Sequence, residues 1–263
     1  EVQRASQISV PGYGLLDRTG DGVADTLPAT VDPRVNLGAQ PWSLPFQSNS
    51  VIGSLRLQRA LGEHWIAGAR IGQQRIRTND RLAFPDGCSS LDPNLAYPFA
   101  CPGNEVDLYD YRSDHERRTL RAAEVFMRGD WQSGALRHEV SMSVLRSDYS
   151  ERFDPAYLST WAGMVNTRAP AALPQPTPDP AWSYIPNTLR DVRSTELSVY
   201  DVMRWGSGWS LWAGVRHSWL ERSSELTDGS ERVAFDQRFT TPWAALGWQP
   251  WSGGFAYVSA GQG

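Results

Sequence analysis

Residues 209–222 read Trp-Ser-Leu-Trp-Ala-Gly-Val-Arg-His-Ser-Trp-Leu-Glu-Arg, and their polarity alternates with a period of two. Trp209, Leu211, Ala213 and Val215 fall on one face; Ser210, Gly214, Arg216 and Ser218 fall on the other, with Trp212 as the exception on the polar side. A strand sends successive side chains to opposite faces, so the pattern predicts a strand with one apolar and one wet face. The link Gly206-Ser207-Gly208 joins it to a similar stretch, 192–204, where Leu197 and Val199 oppose Glu196, Ser198 and Tyr200. Asp201 falls on the apolar register there, a place it tolerates only beside a turn.

This unit of strand, tight link, strand and long polar loop occurs four times between Ser48 and Gly263. The first hairpin pairs 51–60 with a strand starting at Trp65. Val51, Leu55 and Leu57 oppose Ser54, Arg56 and Gln58 in its first strand, and Trp65, Ala67, Ala69 and Ile71 oppose Gly68, Arg70 and Gln74 in its second. If the apolar face meets hydrocarbon, the opposite register would put Arg56 there at about 2–4 kcal/mol near the midplane, which fixes the leucines outward. The third strand starts in the charged stretch 107–121 and ends near Trp131. Ala123, Val125 and Met127 oppose Glu124 and Arg128, but Phe126 sits on the polar side. Leu120, Ala123, Glu124 and Met127 would also suit a helix, and the neighbouring strands decide for strand. The charges Asp110, Arg112, Asp114, Glu116, Arg117 and Arg118 read either as a solvated strand end or as an ion-pair ladder. The fourth strand starts at Leu136, the seventh spans 240–248, and the eighth starts at Phe255.

Four short links and four long loops alternate strictly. That asymmetry belongs to an all-β transmembrane antiparallel up-and-down β-barrel segment, about eight strands as four hairpins, with short periplasmic turns and long extracellular loops. Trp65, Trp131, Trp205, Trp209, Trp248 and Trp251 all border short links. Six of the twelve Trp at one level make an interfacial girdle, whereas a Trp-rich sandwich core would scatter them. The expected organisation is residues 1–47 as an extracellular loop with no strand, followed by a partial barrel over 48–263. The loop 148–189 is long enough to be functional. With no leader before Glu1 and a strand running into Gly263, the sequence reads as a piece of a longer protein.

Composition narrows the classes. Net charge is −4, so no basic excess tracks a nucleic-acid backbone. No apolar run reaches the length of a membrane-spanning helix, and mean hydropathy is −0.45, a value alternating barrel strands also give. Asp17, Thr19, Asp21 and Asp25, with Gly22 at the turn, match the first nine positions of a calcium loop. Pro28 stands where its bidentate Glu belongs, so an ordinary Asp/Gly-rich turn is the competing reading. Cys88 and Cys101, the only cysteines, close a short Pro/Gly-rich loop and suit a disulfide worth about 3 kcal/mol in an oxidising compartment. His64, His115, His138 and His217 are scattered, and no HExxH, GxSxG or GxxxxGK[ST] appears. No enzyme activity, catalytic residue or resident cofactor is therefore expected.

Several stretches together resemble the middle of a TonB-dependent ferric-siderophore receptor barrel. They are Pro41-Trp-Ser-Leu-Pro45, Leu82-Ala-Phe-Pro-Asp-Gly-Cys88, Asp107-Leu-Tyr-Asp-Tyr-Arg-Ser113, Gly134-Ala-Leu-Arg-His138, Arg193-Ser-Thr-Glu-Leu197, Leu211-Trp-Ala-Gly-Val-Arg-His217, Thr241-Pro-Trp-Ala-Ala-Leu-Gly-Trp248 and Tyr257-Val-Ser-Ala-Gly-Gln-Gly263. The resemblance implies a bacterial cell outer-membrane barrel of 22 strands, closed by a plug domain that contacts TonB, with import driven from the inner membrane. It implies a ferric siderophore and outer-membrane lipid as partners, with iron arriving inside its chelator. The plug, the TonB box and the last strands have no counterpart here. Trp42, Arg77, Arg81, Tyr97, Trp161, Tyr184 and Arg190 are loop groups able to stack on or pair with an anionic chelate. The alternative is an independent small outer-membrane barrel with an adhesive or structural role.

Overall fold

The computed structural model describes residues 1–7, 34–85, 105–179, 181, 183–206 and 208–262. Among the described residues twelve strands run in chain order: β1 Val2–Gln7, β2 Leu44–Leu61, β3 Trp65–Pro85, β4 Glu105–Ser133, β5 Leu136–Arg152, β6 Ala156–Tyr157, β7 Thr160–Asn166, β8 Tyr184–Ile185, β9 Thr188–Trp205, β10 Trp209–Leu226, β11 Val233–Trp251 and β12 Gly254–Gly261. One antiparallel ten-stranded sheet follows the order β1-β2-β3-β4-β5-β9-β10-β11-β12, with β7 beside the start of β4; β6 and β8 form a separate pair. β1 and β12 are its two edges.

The four expected hairpins are β2–β3, β4–β5, β9–β10 and β11–β12. Their links are tight. Gly62 at φ 75° and Gly134 at φ 61° take the left-handed conformation that a Cβ disfavours. Register confirms the faces. Leu57, Ala69, Val125, Val144 and Leu197 stand in one row across five strands, and Val199 and Val215 in the next, forming an apolar belt. Toward the short links the belt ends in aromatic rings. Trp205, Trp209 and Trp248 are in register, Trp209 stacks on Trp248 at 5.6 Å, and Trp65 stacks on Trp131 at 5.7 Å.

The polar face explains both misplaced aromatics. Phe126 lies against Gly68, whose missing side chain leaves room for the ring, and the guanidiniums of Arg56 and Arg128 each sit 5.3 Å from its centroid. Trp212 packs on Phe255 at 5.8 Å. On the same face, Arg118 bridges Glu116 at 2.9 Å and Glu151 at 3.5 Å, and Arg190 reaches Glu151 at 3.4 Å. Of the β4 charges, Glu116 and Arg118 thus belong to an ion-pair ladder on the polar face, and Asp110 pairs with Arg112.

Two expectations need correction. Residues 1–47 are not free of strand: Val2–Gln7 pairs antiparallel with β2, which begins at Leu44. The stretch 148–189 is not all loop: β5 runs to Arg152, and β6, β7 and the start of β9 lie within or at the end of it. The reason is common to both. Beyond the apolar rows the side chains need not alternate in polarity, yet the backbone ladder continues. β4, at 29 residues and about 95 Å if fully extended, is far longer than its apolar stretch.

Candidate functional site

At the loop end, β4 changes partners. It pairs with β5 up to Arg117↔Arg152 and with β7 from Asp110↔Thr160 onward. Between these points, residues 111–116 have β3 on one edge and no strand on the other. The β3 ladder shifts register there, between Thr78 and Asp80, and His115 takes φ 57°. Its backbone N–H donates to Asn79 Oδ1 at 2.8 Å, which holds the turn. Such a bulge re-aims side chains at a strand's end.

The gap is a notch of about 520 Å³, lined by residues 111–116, 118, 153–157, 184 and 187. Two arginines line it, each over an aromatic ring. Arg112 lies 5.0 Å from the Tyr157 centroid, and Arg118 lies 5.1 Å from that of Phe153. Tyr157 contacts Tyr184 at 5.4 Å across the β6–β8 pair and donates its hydroxyl to Thr160 at 2.7 Å. His115 Nδ1 lies 2.9 Å from Asp154 Oδ2 at the mouth. Burial opposes the charge on Arg112, but its hydrogen bonds to Asp110 at 2.6 and 2.9 Å outweigh this, so its pKa is raised. Burial likewise pushes Glu116 up, yet hydrogen bonds from Ser113, Thr78 and Arg118 win and hold it below the ordinary range. Burial pushes the Tyr157 hydroxyl up. The notch therefore offers guanidiniums on aromatic faces, each paired with a carboxylate, beside Asp114 and Asp154: a lining suited to stacking on and hydrogen-bonding a polar ligand with delocalised rings.

Behind the notch lies a small core of Leu37, Trp42, Ala83, Val106, Leu108 and Val165, covered by Val35, Ala162 and Leu173. Asp110 is fully buried at its border, 2.6 Å from Arg112 and 3.5 Å from Arg81. Arg81 in turn lies 5.9 Å from the Trp42 ring, and Trp161 donates from Nε1 to buried Asp107 at 2.8 Å.

The loop groups expected from sequence therefore divide. Tyr184 lines the notch. Trp42 and Arg81 belong to the supporting core, Trp161 is exposed beside it with its indole N–H on Asp107, Arg190 belongs to the polar-face ladder, and Arg77 to the belt face. Tyr97, the cysteines Cys88 and Cys101, and the calcium-loop group Asp17, Thr19, Asp21 and Asp25 lie outside the described residues. Sequence reasoning missed Arg112, Arg118, Phe153 and Tyr157 as one group. The aromatic-rich run after Arg152 was the available signal, but its return to β4 depends on β7.

No family model and no curated protein matches the chain. Solved structures do. The siderophore receptor PiuA of Acinetobacter baumannii superposes at a TM-score of 0.73 and 14% identity, over 98% of this chain and 38% of its own. The closed form of the ferric-catecholate import receptor Fiu of E. coli K12 gives 0.72 at 12% identity, over 98% and 39%. The fold is that of a siderophore-receptor barrel wall. The ferric preacinetobactin receptor BauA of A. baumannii shares this receptor-barrel fold at a TM-score of 0.61 and 11% identity, over 84% of this chain and 32% of its own. The chain thus spans less than two fifths of these receptor barrels' chains, in line with the TonB-dependent receptor resemblance in the sequence.

Proposed function

We propose that this chain is part of the barrel wall of a bacterial outer-membrane receptor that binds a ferric siderophore and imports it with inner-membrane energy passed through TonB. The observation that carries the reading is the notch: Arg112 and Arg118, backed by Tyr157 and Phe153, at the loop end of a sheet with a receptor-barrel fold. Both guanidiniums are held by carboxylate partners, so a ring-bearing chelate meets oriented N–H donors and aromatic faces there without having to organise them. The unpaired edges of β1 and β12 favour an arc of a larger barrel over an independent small one, since open edges do not persist in lipid.

The test is to titrate the whole protein that contains this chain, purified from outer membranes, with ferric catecholate and ferric hydroxamate chelates while following tryptophan fluorescence. Arg112→Gln and Tyr157→Ala are expected to weaken binding of the recognised chelate about tenfold each, the scale of a lost charge-assisted contact. Unchanged binding in both variants would remove the notch from the ligand site. No binding of any ferric chelate by the whole protein that contains this chain, with no iron uptake by cells expressing that whole protein, would defeat the receptor reading.

A further inference from the structure

Both cations of the notch are committed to carboxylates of the chain itself. Arg112 donates two hydrogen bonds to Asp110, at 2.6 and 2.9 Å. Arg118 pairs with Glu116 at 2.9 Å and with Glu151 at 3.5 Å. The Glu116 carboxylate is filled further by the hydroxyls of Ser113 and Thr78. These pairs leave no positive charge free for a ligand.

Among the described residues, the lining adds two more carboxylates, Asp114 and Asp154, and no further guanidinium. Asp114 is exposed and makes no ion pair or hydrogen bond through its side chain among the described residues. Asp154 is 59% exposed, and its side chain bonds only His115, whose Nδ1 lies 2.9 Å away. With histidine neutral at pH 7, that bond leaves the aspartate charge in place. Two tyrosine rings of the lining are also partly open: Tyr184 is 45% exposed and Tyr111 37%. The uncommitted chemistry of the notch is thus two carboxylates beside two aromatic faces, a combination that attracts an ammonium group by charge, hydrogen bonding and cation–π contact.

We propose that the notch recognises a free ammonium group carried on the chelate outside its iron-binding core, and that Asp114 and Asp154 are the residues that set this specificity. The inference rests on the receptor reading and narrows its ligand to a chelate with a side arm ending in a primary amine. The two aspartates accept the ammonium N–H groups, and the Tyr184 and Tyr111 rings flank it. An arm ending in a carboxylate meets like charge from both aspartates, and an arm ending in a neutral amide meets neither attraction nor repulsion. The order of affinity is therefore amine, amide, carboxylate.

The experiment uses the whole protein that contains this chain, in detergent, and two ferric cores, a linear tris-hydroxamate and a tris-catecholate. Each core is prepared with its side arm ending in a primary amine, in the N-acetyl amide, or in the N-succinyl amide, which carries a carboxylate. Binding is read from tryptophan fluorescence. On each core that binds, the amine form is expected to bind about fivefold tighter than the acetyl form, the scale of an exposed ion pair, and the succinyl form weaker than either. Asp114→Asn and Asp154→Asn are each expected to cut the amine preference to about twofold without changing affinity for the acetyl form. Asp236→Asn, at an exposed acid on β11 away from the notch, leaves the preference intact. Equal affinity for the three forms, or tightest binding of the succinyl form, overturns the proposal. So does an amine preference that both notch variants retain in full, or a loss that falls equally on all three forms, which is the mark of a structural role. Should the variants fail to fold, the parent protein still decides: the amine preference must shrink between about 0.05 and 0.5 M salt, and a salt-independent preference overturns the proposal. The two readings fail differently. Chelates bound without regard to the side arm remove only the ammonium specificity, whereas no binding of either core in any form removes the receptor reading and this inference with it.

Discussion

His138 Nδ1 lies 2.7 Å from Asp201 Oδ2 on the face of the sheet that carries the apolar belt. The carboxylate also accepts the Glu139 backbone N–H at 3.2 Å, and Trp131 stacks on His138 at 5.0 Å. An acid at an apolar register is thus satisfied by its neighbours, one strand-end away from the short links. Asp201→Ala leaves the imidazole and the Glu139 N–H without their acceptor. It is expected to destabilise the full chain by about 2 kcal/mol, read from guanidinium unfolding in detergent. A loss of stability no larger than that of an exposed control such as Asp228→Ala would refute this role.

Trp65 lies flat against Gly129, where a Cβ would overlap the indole ring. Gly129→Ala is expected to expel Trp65 from its stack on Trp131 and to cost about 1–3 kcal/mol. Near-ultraviolet circular dichroism reads the loss of the stacked pair directly, and an unaltered spectrum would show that the girdle does not depend on this contact.

Asp110 compensates two arginines at once, and neither Arg81 nor Arg112 is more than a sixth exposed. Removing it strands both charges. Asp110→Ala should destabilise the loop-end core by about 3–5 kcal/mol, the scale for breaking a buried pair. Hydrogen exchange should then rise in residues 34–43 and 105–110 and stay constant in the belt. Uniform exchange across the sheet would mean that this core is not a separate cooperative unit.

Glu116 gives a pH dependence with a definite sign. Its folded-state pKa lies below the ordinary 4.5 because Ser113, Thr78 and Arg118 bond the carboxylate. The stability this contributes is fully present above about 4.5, the unfolded value, and is lost as pH falls through the lower folded value. Glu116→Gln should therefore be less stable than the parent chain at pH 7, with the gap closing in acid. A gap in melting temperature that stays constant from pH 7 to pH 3 would contradict the assignment.

The sequence reading worked where membrane physics constrains the residues. Leu55, Leu57, Val125, Val144 and Val215 alternate with polar partners across the sheet, and so the four hairpins and the Trp rows beside the short links were readable from period two alone. It failed where that constraint stops. Val2–Gln7 is a strand held by backbone pairing to β2, with no apolar face to announce it. The notch was hidden for a different reason. Arg112 and Tyr157 are distant in sequence and meet only because β7 returns to β4, a pairing that no local pattern encodes. Trp42 and Arg81 had the right chemistry for a ligand site, but Trp42 is buried with Leu37, Leu108 and Val165, and Arg81 is turned toward it and Asp110.

The handover of β4 from β5 to β7 has a thermodynamic consequence. Loop sites usually become ordered when their ligand arrives, at about 0.5–1.5 kcal/mol for each side chain immobilised. Here the notch residues on β4 are already held by the β3 ladder on one side and anchored above and below on the other. Their conformational entropy is surrendered when the wall folds. A ligand entering the notch should bind with a small ordering penalty and a rate set by diffusion and charge, and the free and bound walls should share one backbone.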